Sequence, residues 1–128
     1  MKFKMSWTLN GYGGNKQVST WSDILNQLEQ LQGREGTLTL DMLMSSESGA
    51  EMLQVRTENG YYLMTLGEIF EDKYQVRTYW DPSGNDDEVM ILGDCWPIRQ
   101  ITENFDIVVK VFEEFTCTGN VSKSIFSK

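Results

Sequence analysis

The chain has 128 residues, 40% of them hydrophobic and 12% aromatic, which suffices for one core and sets it apart from disordered sequences. Nineteen acidic residues against 11 basic ones leave a net charge of −8, a field that opposes nucleic-acid binding and favours basic partners. No apolar stretch approaches the roughly 20 residues that cross a bilayer, so no membrane span is expected.

Phe3, Met5, Trp7 and Leu9 alternate with Lys2, Lys4, Ser6 and Thr8, the period of a strand with one buried face. Asn10 to Asn15 holds three glycines and two asparagines, which reads as a loop leading to a helix. Thr20 is the expected N-cap, with Asp23 three residues on. Trp21, Ile24, Leu25, Leu28 and Leu31 then form one apolar stripe before Gly33.

Short β-rich runs follow, separated by turn clusters, as in an antiparallel meander. The expected strands are Thr37 to Met44, Glu51 to Thr57, Tyr61 to Leu66 and Lys73 to Trp80. Asn59-Gly60 marks a tight hairpin between the second and third, because both of its central residues tolerate positive φ. Gly67 to Asp72 reads as the connection to the fourth, and Asp81 to Asp87 as an open loop. Glu88 to Leu92 and Ile98 to Ile101 are short extended runs. A second helix begins near Thr102 or Asn104, carries Phe105, Val108, Val109, Phe112 and Phe115 on one face, and ends before Gly119. Val121 to Phe126 reads either as a final edge strand or as a cover over the core.

This order lacks the regular βαβ alternation of a doubly wound sheet. It predicts one α+β domain over residues 1–128, an antiparallel sheet of about five to seven strands with two helices mainly on one face. The first seven residues hold no apolar h-region and no small-residue cleavage site, so a cytoplasmic protein is expected. Cys95 and Cys117 are accordingly read as reduced core thiols.

The residues speak against catalysis. Without histidine the chain lacks the commonest base near neutral pH and the commonest zinc ligand, and two distant cysteines cannot assemble a four-thiolate site. Gly11-Tyr12-Gly13-Gly14 continues into neither a P-loop nor a dinucleotide fingerprint, and the acids around Asp86 do not match a calcium-binding EF-hand loop. No cofactor or metal is therefore expected. A hydrolase built on two carboxylates stays open, since their separation is a property of the fold.

Acids and aromatics are instead interleaved between residues 68 and 96. Glu68, Glu71, Asp72, Tyr79, Trp80, Asp81, Asp86, Asp87, Glu88 and Asp94 are the candidate partner-binding residues. Aromatic side chains supply contact area at low entropic cost, and carboxylates pair with an opposing lysine or arginine.

Val18-Ser19-Thr20-Trp21 opening a leucine-rich helix, the Gly36-Thr37-Leu38-Thr39-Leu40 strand, and a late helix closing on Glu114-Phe115-Thr116-Cys117-Thr118-Gly119 carry a resemblance. In these features the chain resembles small cytosolic immunity proteins of bacterial polymorphic-toxin and contact-dependent growth inhibition systems. The resemblance implies a stoichiometric inhibitor that binds a cognate toxin domain, expected to be a basic nuclease. The other expectation is a non-catalytic accessory or scaffold domain that binds a protein through a sheet edge or its C-terminal segment.

Overall fold

The computed structural model describes residues 2–43 and 49–127. In chain order the elements are β1 (Phe3–Leu9), β2 (Tyr12–Val18), α1 (Trp21–Glu29), β3 (Gly36–Met42), β4 (Gly49–Glu58), β5 (Tyr61–Phe70), β6 (Lys73–Thr78), β7 (Glu88–Ile91) and β8 (Asp94–Pro97). A 3-10 turn (Ile98–Gln100), β9 (Ile101–Thr102) and α2 (Phe105–Thr118) complete them. The main sheet is antiparallel, in the order β2-β1-β3-β4-β5-β6, with β9 pairing β5 beyond the end of β6. The α+β architecture is the one expected.

The alternation in β1 works as its sequence implies: Phe3 and Met5 are buried, and their neighbours face away from the core. Register carries that face across the sheet, since Met5 sits opposite Leu40, Leu40 opposite Leu53, and Leu53 opposite Leu66. Ile24 and Leu28 of α1 and Val108, Val111, Phe112 and Phe115 of α2 close over these residues in one buried cluster. Thr20 caps α1 by accepting the Asp23 N–H at 3.3 Å, and Asn104 caps α2 by accepting that of Asp106 at 3.0 Å.

Several boundaries differ from expectation, each for a non-local reason. Tyr12–Val18 is a strand rather than a loop, because Asn10 (φ 50°) and Gly11 (φ 90°) form a two-residue hairpin that returns the chain along β1. Its glycines and exposed polar residues conceal strand character that only pairing supplies. β5 runs on to Phe70, so the connection to β6 shrinks to Glu71 (φ 52°) and Asp72 (φ 63°). β6 in turn stops at Thr78, short of Trp80. The expected end of the β3 strand at Met44 lies outside the described residues.

Ile98–Gln100 is helical instead of extended. Residues 121–126 form no strand; they cover the core with Val121 and Phe126 fully or nearly buried. Cys95 and Cys117 are free and exposed, which corrects their placement in the core. No helix among the described residues is long and apolar enough to span a membrane.

Candidate functional site

The helices leave one face of the sheet uncovered, and the β7–β8 hairpin closes half of it. Leu63, Ile91 and Ile101 form a second, smaller core there, with Val89, Leu92 and Trp96 packed around them. Glu58 at the end of β4 fastens the hairpin by accepting the Leu92 N–H at 2.9 Å, and the Arg56 guanidinium lies 5.9 Å from the Trp96 ring centroid.

The ten candidate partner-binding residues do not form one patch. Asp81, Asp86, Asp87, Glu88 and Asp94 lie in the loop after β6 and on the β7–β8 hairpin. Arg99 organises that loop: its guanidinium lies 5.2 Å from the Trp80 ring centroid, and its Nε is 2.9 Å from Asp86 Oδ1, an ion pair without the alignment of a hydrogen bond. The Arg99 carbonyl accepts the Asp81 N–H at 2.7 Å. Hydrogen bonds from the Ser83 hydroxyl and backbone, aided by the Arg99 charge, hold the Asp81 carboxyl below the usual range. Asp94 stands 3.8 Å from Arg56. Asp87 and Glu88 are exposed, with no side-chain ion pair among the described residues.

Tyr79 is half-buried against the main core, and Trp80 is half-buried under Arg99. Burial and the Asp81 charge push the Tyr79 phenol up, while a hydrogen bond with Thr102 opposes them. Tyr79 thus serves packing before contact with a partner.

Glu68 requires a correction, since it is no surface acid. It points to the helix side and is 7% exposed, because β5 continues through the stretch read as a loop. Arg77 grips it with two hydrogen bonds, Nε to Oε1 at 2.9 Å and Nη2 to Oε2 at 3.2 Å, and Gln75 adds a third at 2.7 Å. Burial alone would raise the Glu68 pKa; these hydrogen bonds and the Arg77 charge more than offset it and hold the carboxyl low. Arg77 Nη1 donates to the Phe126 carbonyl at 2.9 Å, and Nη2, besides Glu68, also reaches the Val121 carbonyl at 3.2 Å and Asn120 Oδ1 at 3.1 Å. Glu68 therefore helps pin the C-terminal segment.

Glu71 and Asp72 stand at the far end of β5 from the β7–β8 hairpin. The two ends of that strand are about 30 Å apart. Around this second site are three residues outside the ten candidates, Phe70 and Tyr74 from the interleaved run and Val76, exposed by 52%, 56% and 50%. The available signal was Ile69-Phe70, a β-branched and an aromatic strand former directly after Glu68, which extends β5 past it.

The grooves give little shape for chemistry. One of about 460 Å³ lies between the β1–β2 hairpin and α1, lined by Trp7, Leu9, Tyr12, Gln27 and Arg34. Another of about 380 Å³ brings Glu35 near Glu58, whose Oε1 is occupied by the hairpin N–H. Among the described residues no three metal-ligating side chains converge.

Fold and surface together define a class: a small α+β domain with a helix-backed antiparallel sheet whose other face is half covered and half open. Within it, a family model described as a family of unknown function, DUF6911, matches residues 2–125, and the chain belongs to that family. The chain is also similar to a hypothetical protein from Neisseria gonorrhoeae of known crystal structure, at TM-score 0.78 and 22% identity over 94% of this chain and 90% of that one. At that identity the likeness shows a shared fold. No curated protein matches.

Proposed function

We propose that this chain is a non-catalytic binding protein of the immunity type, which acts in the cytoplasm by capturing and neutralising a basic protein toxin, a nuclease in the leading case. The observation that carries this reading is the exposure of Asp87 and Glu88, without a side-chain ion pair among the described residues, where the loop after β6 enters the β7–β8 hairpin, with Asp86 and Asp94 held beside them by Arg99 and Arg56 and the hairpin fastened by Glu58. Carboxylates held on an anchored hairpin meet a cationic surface without first ordering a loop, which lowers the entropic cost of association. The net charge of −8 steers a basic partner toward the molecule over the distance that salt permits.

The test is co-expression with a basic, nuclease-like domain encoded beside this gene. Protection of the host cell, a one-to-one complex, and an association rate that falls steeply with added salt are expected. Failure to protect, or association indifferent to salt, counts against the reading.

A further inference from the structure

β6 is the last strand on its side of the sheet, and β5 occupies one of its edges. Past the end of β6 the Trp80 backbone N–H donates to the Ile125 carbonyl at 3.4 Å, and on the helix face the Arg77 side chain holds the Val121 and Phe126 carbonyls. From Lys73 to Val76 all four residues are exposed, and among the described residues no strand pairs with that edge. Backbone groups of an antiparallel strand alternate sides, so about half of those in this stretch face outward.

Tyr74-Gln75-Val76 contains neither a proline nor a bulge to discourage pairing, and tyrosine and valine are strong strand formers. The opposite edge, β2, is defended differently, by Gly13, Gly14, Asn15 and Lys16.

Both faces beside the free edge offer apolar contact. Tyr74 and Val76 lie on the helix-free face, where the Tyr74 ring lies across Gly67 in the space that a Cβ would fill. On the helix side a groove of about 290 Å³ runs beside exposed Phe70, with Gln75 and Lys123 on its walls and the Glu68–Arg77 pair and buried Phe126 beneath it. Four carboxylates lie around the edge, against Lys73 on it and Lys123 at the groove. Glu71 and Asp72 stand at the end of the edge; burial, and after it the charges of Glu51 and Asp41, push the Tyr74 phenol up.

We propose that the free edge of β6, Lys73 to Val76, receives an extended segment of a basic protein as an added strand, with alternate side chains on Tyr74 and Val76 and in the groove beside Phe70. In such strand addition the main chain supplies affinity and the two rows of side chains supply selectivity. The carboxylates flanking the edge favour lysine or arginine at the ends of the segment. This inference rests on the reading of the protein as a binder of basic partners, and it moves the contact away from the β7–β8 hairpin.

The probe is a ten-residue peptide of alternating lysine and valine, titrated by NMR into the intact, isotope-labelled chain, with a glutamate–valine peptide for comparison. Shift changes and slowed amide exchange confined to residues 70–77, at least about tenfold weaker in Tyr74→Lys, support the proposal. Val76→Lys, which alters another exposed side chain of the same edge, is expected to weaken binding similarly while the other amide signals stay in place.

Signals that move only at residues 81–94 overturn the edge while leaving the basic-partner reading intact. Equal binding of the glutamate–valine peptide, or no binding of either, overturns the proposal. Self-association through the same edge, abolished by Tyr74→Lys, replaces the basic segment with a second copy. Peptide binding at the edge in a chain that gives no protection in co-expression upholds the edge and removes the immunity reading.

Discussion

The β7–β8 hairpin with its preceding loop and the β5–β6 hairpin both place acids beside aromatics, yet the fold treats their charges in opposite ways. In the first, arginines from distant parts of the chain come to the acids and tryptophans: Arg99 to Asp86 and Trp80, Arg56 to Asp94 and Trp96. In the second, Arg77 turns inward to Glu68 and the C-terminal carbonyls, and among the described residues no cation pairs with Glu71 or Asp72. An acid in the sequence is thus not yet an acid available to a partner. What decides availability is where the nearest guanidinium is already engaged.

Removing the inward pair should have the largest effect. Glu68→Ala leaves Arg77 charged and buried without its partner, a loss of about 3 kcal/mol and, for a domain of this size, about 10 °C in Tm by calorimetry. Residues 120–127 should gain fast amide exchange. Glu68→Leu combined with Arg77→Met should recover much of the stability, since no buried charge remains. A loss no greater than that of a surface substitution would erase the distinction between the two hairpins.

The pair also fixes a pH dependence. The folded-state pKa of Glu68 is depressed, so its contribution is present above the unfolded value of about 4.3 and is lost as pH falls through the folded value. Urea titrations should show the gap between the native chain and Glu68→Gln wide at neutral pH and narrowing at acid pH.

A smaller effect is expected at the turn, where Glu71 and Asp72 hold positive φ without a glycine, while the β1–β2 and β4–β5 turns use Asn-Gly. Replacing the pair by Asn-Gly should stabilise the fold by about 1 kcal/mol, measured by chemical denaturation, while weakening attraction for a basic peptide. A loss of stability would show that these carboxylates support the fold itself.

The smallest effect on stability belongs to Asp87→Lys with Glu88→Lys, both exposed, at within about 0.5 kcal/mol. Their effect should appear in the association rate with a basic partner, where charge steering acts, and should fade with salt. If the same reversal leaves that rate unchanged while Tyr74→Lys lowers affinity, the β5–β6 edge is the contact and the β7–β8 hairpin is not.

Much of the architecture is legible in local pattern. The alternation of Phe3, Met5, Trp7 and Leu9, the stripe from Trp21 to Leu31, the Asn59-Gly60 turn and the Thr20 cap each act within a few residues, and each appears in the fold. The site is less legible because ion pairing and strand pairing act across the chain. Glu68 reads as a loop acid until β5 is extended by its neighbours, and the glycines after Tyr12 read as a loop until β1 supplies hydrogen bonds.

By itself, then, the sequence determined the class of fold, its acidity and its lack of histidine, all consequences of composition and short-range periodicity. Only the tertiary structure decided which carboxylates are buried, which are answered by arginine, and which edge is left open. Those outcomes depend on burial and on partners brought together from far along the chain.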